Sequence, residues 1–266
     1  MTVTKRSDIE VIDYLLRAES DVKEVVKITD QYPGLSIDEA YDLQKKLIER
    51  RMEKTKTKRL GIKLGLTSKA KQEMMGVHEA IYGYLLSDML AFEWEPLQQH
   101  RLIHPKAEPE IAFIMKEDLM GEHVTADDVR KAVKYVVPAI EVIDSRYKDF
   151  RFTLPDVVAD NCSSAKLILG SKMVKPEELD LASIGMVMSK NGEMVATGAG
   201  SAVLGHPAEA VAWAVQKLAK RGEGLKKGDI VLSGALSEAI AFDMDDTIIA
   251  QFDGLGSVTL SSRYVK

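Results

Sequence analysis

The chain has 266 residues, 45% of them apolar, and carries 36 lysines and arginines against 41 aspartates and glutamates, a formal net charge of −5. That size suits one large core or a main core with a small attachment, and the interspersed charge excludes the clustered basic face of a nucleic-acid binder. A single cysteine, Cys162, excludes a disulfide framework; no apolar run approaches a bilayer span and the N-terminus lacks a signal core, so a cytoplasmic protein with no membrane partner is expected.

Ile9, Val11, Ile12, Leu15 and Leu16 recur at near-helical spacing. Pro33-Gly34 marks a turn before Ser36-Ile37-Asp38-Glu39, whose Ser-x-x-Glu spacing is a capping box, and Ala40, Leu43 and Leu47 give the next helix one apolar face. The basic stretch 50–59 ends it, where cations suit the negative end of the helix dipole. From Leu60 the pattern changes: Leu60-Gly61-Ile62-Lys63-Leu64-Gly65-Leu66 alternates as a strand, with two glycines that admit a close backbone or ligand. Lys63, set among apolar neighbours, has two readings, a solvent-facing lysine on an edge strand or a partly buried amine beside an anion. Thr67-Ser68 offers hydroxyls and helix-start amides ahead of a short helix over 69–75 closed by Gly76, and such a start can hold a carboxylate. Residues 76–88, with His78, Glu79, Tyr82 and Tyr84, read as a loop.

Glu108 and Glu110, followed by the apolar run Ile111 to Met115, read as the start of a strand with both carboxylates on one face. After a helix capped by Thr125 and running to about Val136, a third acid, Glu141, lies in the run Pro138-Ala139-Ile140-Glu141-Val142-Ile143, a second strand bounded in front by proline. Three carboxylates buried together repel one another and pay desolvation, a conflict that a divalent cation resolves. Oxygen-only ligands suit Mg²⁺ or Mn²⁺ better than zinc. The alternative is a solvated strand face for Glu108 and Glu110, with Glu141 paired to a lysine.

Asp144-Ser145-Arg146 opens an irregular piece that ends at Asp160-Asn161-Cys162-Ser163-Ser164, a polar cluster entering a strand over 166–170. It reads either as a binding loop or as plain turn chemistry, and Cys162 as a buried small residue rather than a nucleophile. The last third is β-rich. Strands over 186–189 and 193–197 flank Asn191-Gly192, the strongest short hairpin signal. His206-Pro207 opens a helix with Ala210, Val211, Ala214, Val215 and Leu218 on its apolar face, and 230–234, 247–252 and 257–260 read as strands. Helices first and strands later, without regular alternation, argue for α+β and against a Rossmann sheet. The division is a helical N-terminal region, 1–59, and a β-rich catalytic domain, 60–266.

The segment from Gly61 to Ser68, the acids Glu108 and Glu110, Glu141 with Asp144-Ser145-Arg146, the cluster Asp160 to Ser164 and the ending Phe252-Asp253-Gly254-Leu255-Gly256-Ser257-Val258 together resemble the hydratase/decarboxylase family of the fumarylacetoacetate hydrolase superfamily, in consistent order from about residue 35 to 260. The resemblance implies a mixed β-sandwich or roll with a smaller helical N-terminal region, and Mg²⁺ or Mn²⁺ held by Glu108, Glu110 and Glu141. It implies Lys63 as the catalytic residue that steadies developing negative charge or moves a proton. Thr67, Ser68, Ser163 and Ser164 would orient a carboxylate of a small 2-oxo dicarboxylic acid, with Asp160 and Arg146 as orienters behind them.

Two activities of that family act on successive intermediates of catechol meta-cleavage: decarboxylation of 2-oxohex-3-enedioate to 2-hydroxypenta-2,4-dienoate and CO₂, and hydration of that dienoate. The segment from Met74 to Tyr84 and Pro109 between the two acids resemble the decarboxylase branch, since hydratases carry an acid where Ile81 stands; Ala80 departs from a proline common at its position. The hydratase is the alternative, and a non-catalytic subunit of a hydratase/decarboxylase complex the second. A homo-oligomer, and a complex with the hydratase, are implied by the resemblance alone.

Overall fold

Helix α1 (Asp8–Ser20) starts where the Ser7 hydroxyl accepts from the Glu10 amide, and it buries Val11, Ile12, Leu15 and Leu16. These are the first elements of a computed structural model that describes residues 7–263. A single turn, α2 (Ile28–Gln31), precedes α3 (Ile37–Thr55), where the capping box forms as its spacing requires: Ser36 accepts from the Glu39 amide and Glu39 from the Ser36 amide. The face of α3 made by Ala40, Leu43 and Leu47 is buried.

The chain continues through β1 (Arg59–Gly65), α4 (Lys69–Met75), β2 (Ile81–Leu86), β3 (Leu90–Ala91), β4 (Lys106–Met115), α5 (Ala126–Ala132), β5 (Val133–Ile143), α6 (Leu154–Ala159) and β6 (Ser164–Leu169). The last third holds the hairpin β7 (Gly185–Lys190) and β8 (Glu193–Ala199), helix α7 (Pro207–Ala219), then β9 (Ile230–Ala235), β10 (Ile240–Ala241), β11 (Thr247–Phe252) and β12 (Gly256–Ser261). One sheet runs β2-β1-β9-β4-β5-β6-β3, with β10 on β4; a second, antiparallel, runs β12-β11-β7-β8. The first is mixed, since β1 lies parallel to β9 and β3 to β6 while its other pairs are antiparallel. The second sheet packs across β5 and β6, and α7 covers β9 and β1. This is the curled mixed-sheet α+β fold that the motifs imply.

Three stretches differ from the sequence reading, each for a packing reason. Residues 81–86 are a strand and not part of a loop. All six are buried, with Tyr82 stacked on Tyr41 of α3 at 4.6 Å, so both faces of β2 are covered and no polar alternation remains to reveal it. Helix α5 stops at Ala132 and β5 starts at once, so Pro138 lies inside the strand; its carbonyl accepts from Gly170 just past the end of β6, where no ladder donor is required of it. The irregular piece before the polar cluster contains α6, which packs on α3. One contiguous apolar core runs from Val11 and Leu47 through Ile62, Phe113 and Ile140 to Ile248 and Leu260.

Candidate metal centre

Strand register gathers the acids. Glu108 stands opposite Glu141 in the β4–β5 ladder, and Glu110, two residues on and therefore on the same face, stands opposite Ala139 on one side and Ala235 of β9 on the other. One oxygen of each carboxylate lies within 4.8 Å of the others. All three residues are buried, which removes the solvated-face reading. Lys63 reaches them from β1, an interior strand flanked by β2 and β9. Its ammonium is 3.1 Å from Glu141 Oε2 and donates to the Cys162 carbonyl at 3.1 Å, so it is the buried amine and not an edge lysine. A second ammonium, that of Lys71 on α4, meets Glu108 Oε1 at 2.9 Å.

Three carboxylates face two ammoniums, so with all three ionised one negative charge would be uncompensated. Burial would raise the Glu108 carboxyl, yet Lys71 and Lys63 hold it below its usual range. Burial, then the Glu141 and Glu108 charges, push Glu110 well above the ordinary carboxylate value. Burial also lifts Glu141 to about 7 against the pull of Lys63. Burial opposes the charge on Lys63, but the surrounding acids, Glu141 foremost, hold the ammonium above its ordinary value. Glu110 Oε1 and Glu141 Oε1 are buried with no hydrogen-bond partner, an unfavourable condition unless something else binds them. A compact set of hard oxygen donors, short of positive charge and carrying unused lone pairs, fits a divalent cation of the Mg²⁺ or Mn²⁺ type.

Two backbone features hold the set in place: Gly234, which was not singled out from the sequence, and the turn in the polar cluster at Asn161, which was. The Gly234 amide in β9 donates to Glu110 Oε2 at 2.6 Å. At that position φ is +111° and a Cβ would lie 2.0 Å from Thr67 Oγ1, so only glycine fits; an isolated glycine inside a strand pattern was the available signal. The turn Asn161-Cys162-Ser163 has φ of 50°, 53° and 57°, three consecutive non-glycine residues in the left-handed region, at a cost of about 1–3 kcal/mol each. It is held because the Asn161 side chain mimics a strand neighbour: Oδ1 accepts from the Tyr84 amide at 2.7 Å and Nδ2 donates to the Tyr84 carbonyl at 2.9 Å. The reward is a Cys162 carbonyl aimed at Lys63.

The other candidate residues are distributed around this centre. The Ser164 hydroxyl is buried and donates to Met89 Sδ at 3.9 Å, while the Ser163 hydroxyl is buried without a partner. Thr67 is buried against Gly234, and Ser68 caps α4, accepting from the Lys71 amide at 3.1 Å. Arg146 and Asp160 are apart from the acids: Arg146 Nε lies 3.3 Å from Asp160 Oδ1, and its guanidinium donates to the Asp144 and Ser164 carbonyls, tying the end of β5 to the start of β6. Burial, against the effect of Arg146, pushes the Asp160 carboxyl up to about 7. Ile81 lies in β2 opposite Gly65, and a Cβ at Gly65 would meet Ile81 Cγ1 at 3.1 Å and Lys63 Nζ at 3.8 Å, so the two side chains share the face of β1 and β2 over Gly65. Among the described residues no helix is long and apolar enough to cross a membrane.

Residues 69–261 match the family model described as fumarylacetoacetate (FAA) hydrolase C-terminal. The chain is 42% identical over 264 residues to a 4-oxalocrotonate decarboxylase of Pseudomonas putida, covering 99% of both sequences. It is 38% identical over 249 residues to a 2-keto-4-pentenoate hydratase of Paraburkholderia xenovorans strain LB400, covering 94% of this chain and 92% of the other. Among solved structures, 4-oxalocrotonate decarboxylase from Pseudomonas putida G7, complexed with magnesium and adipate, superposes with a TM-score of 0.92 at 41% identity over 97% of each chain.

Proposed function

This chain belongs to the fumarylacetoacetate hydrolase family, and within it we propose a cation-dependent carboxy-lyase that converts 2-oxohex-3-enedioate to 2-hydroxypenta-2,4-dienoate and CO₂. Glu108, Glu110 and Glu141 would hold Mg²⁺ or Mn²⁺. When bound, the cation supplies a Lewis acid at the 2-oxo group and its neighbouring carboxylate. In the substrate the C5–C6 bond is conjugated through C3=C4 to the ketone, so the electrons released with CO₂ run to the 2-oxo oxygen. Lys63, fixed by Glu141 and the Cys162 carbonyl, presents an N–H to the oxygen where that charge develops and can return a proton. Its burial keeps bulk water from competing for that oxygen. Of the two serines, Ser163 is the one whose hydroxyl is left for a ligand; Arg146 and Asp160 act by fixing the turn that carries it.

The observation that favours decarboxylation over hydration is Ile81. It puts a hydrocarbon on the face of the sheet that Lys63 shares, where the hydratase pattern has an acid, and a hydrocarbon cannot activate water. The identity to a hydratase keeps the second activity as the alternative. We extend the proposal to a homo-oligomer that associates with the hydratase acting on its product, which sedimentation of the mixed proteins checks.

The test strips the protein with a chelator, restores Mg²⁺ or Mn²⁺, and follows CO₂ release from 2-oxohex-3-enedioate beside hydration of 2-hydroxypenta-2,4-dienoate. Metal-restored CO₂ release with negligible hydration is expected. Hydration without CO₂ release would overturn the reading in favour of the alternative, and silence in both would turn it toward a non-catalytic subunit.

A further inference from the structure

The two ammoniums at the centre are not equivalent. Lys63 is fixed inside the sheet by two acceptors from different strands and turns, and is 2% exposed. Lys71 stands on the seven-residue helix α4, its side chain is 25% exposed, and among the described residues its one side-chain partner is Glu108. Burial follows the same gradient across the acids: Glu110 and Glu141 are fully buried, while Glu108 is 8% exposed. The centre therefore opens to solvent along the Glu108–Lys71 edge, and an anionic ligand entering there meets Lys71 first.

Glu108 has two claimants. As a cation ligand its negative charge is committed to the ion, and an ammonium beside it would then face a dication with its counter-charge withdrawn. A four-carbon stem anchored at the exposed edge lets the Lys71 ammonium move to another anion nearby. A 2-oxo dicarboxylate brings one: its first carboxylate belongs with the ketone, and its second carries a negative charge that a neutral hydroxyl such as that of Ser163 does not balance. We infer that Lys71 exchanges partners, from Glu108 to the second carboxylate of the substrate, and so sets the preference of this site for dicarboxylic over monocarboxylic 2-oxo acids. This rests on the cation-dependent reading above. The sequence offered the start of α4 for a carboxylate through Thr67 and Ser68; here the Lys71 side chain, one turn on, takes that role.

The test is equilibrium binding, which needs no turnover. Mg²⁺-loaded protein is titrated calorimetrically with 2-oxoadipate, which lacks the double bond that makes cleavage possible, and with 2-oxohexanoate, which lacks the second carboxylate. The wild type should bind the diacid about 10- to 100-fold more tightly, the worth of one charge-assisted hydrogen bond. Lys71→Met should bring the diacid down to the affinity of the monoacid and leave the monoacid nearly unchanged, while Lys71→Arg keeps most of the preference. A Met variant that weakens both acids equally, or keeps the wild-type preference, overturns the role of Lys71 while leaving the cation-dependent reading intact. Loaded wild-type protein that binds neither acid overturns that reading, and this role with it.

Discussion

Glu110→Gln separates charge from shape at the centre of the site. In the wild type Glu110 Oε2 accepts from the Gly234 amide and Oε1 is buried without a partner, with one oxygen of the group within 4.8 Å of the other two carboxylates. Glutamine keeps the acceptor for Gly234 and places an amide N–H₂ where the orphan oxygen was, so that like-charge contact becomes hydrogen bonding. Two unit charges 4.8 Å apart interact by about 3 kcal/mol at an effective dielectric of about 20. Glu110 is repelled by two carboxylates and attracted mainly by Lys63, and it escapes part of the repulsion by binding a proton. The expected gain in chelator-treated protein is therefore about 1–3 kcal/mol. With cation the sign reverses. Saturation at one hundred times Kd stabilises a protein by about 2.7 kcal/mol, roughly 5–10 °C in Tm for a chain of this length, and Glu110→Gln should forgo nearly all of it. Thermal melts of both proteins, in chelator and in Mg²⁺, measure the two effects separately. A variant less stable than wild type in chelator, or one that keeps the full Mg²⁺ shift, would refute the assignment of Glu110 as a strained ligand.

Lys63→Met should cost about 3–5 kcal/mol in chelator, because a buried pair loses one partner; guanidinium titrations should show Mg²⁺ restoring much of that, while CO₂ release stays abolished. Asn161→Ala removes both side-chain bonds to Tyr84 and should destabilise by about 2–5 kcal/mol, with faster hydrogen exchange at the Tyr84 amide as its local sign. Burial holds the Cys162 thiol up to about 12, so iodoacetamide at pH 8 should leave the native protein unlabelled by mass and label it promptly in denaturant.

The residues differ in how much of their placement a sequence can carry. Glu108 and Glu110 were legible as a pair because a strand repeats every two residues, whatever surrounds it. That Glu141 joins them depends on register, and register comes from a ladder that no single segment encodes. Lys63 remained ambiguous for a related reason: interior and edge strands have similar local patterns, and only the neighbours β2 and β9 decide between them. β2 was hidden by being covered on both faces. The turn at Asn161 was visible as turn chemistry, but its left-handed run makes sense only against Tyr84, far away along the chain. The resemblance supplied the ligand set as a unit, and the structure supplied Lys71 and Gly234, whose significance lies in what they touch.

The origin of the site residues in the chain also orders events in time. Glu108, Glu110 and Glu141 lie on β4 and β5, consecutive long strands that form one antiparallel pair. Lys63 and Gly234 come from β1 and β9, parallel neighbours from opposite ends of the chain. Loop closure between distant segments is slow and adds to the barrier, whereas the β4–β5 pair can form on its own. A β4–β5 pair formed ahead of the β1–β9 contact would bring three carboxylates together before Lys63 and the Gly234 amide arrive, and a dication in the refolding buffer would relieve that conflict. Mg²⁺ should therefore lift the refolding arm of a chevron plot as well as depress the unfolding arm, which makes the ion a participant in assembling the protein and not only in its finished form.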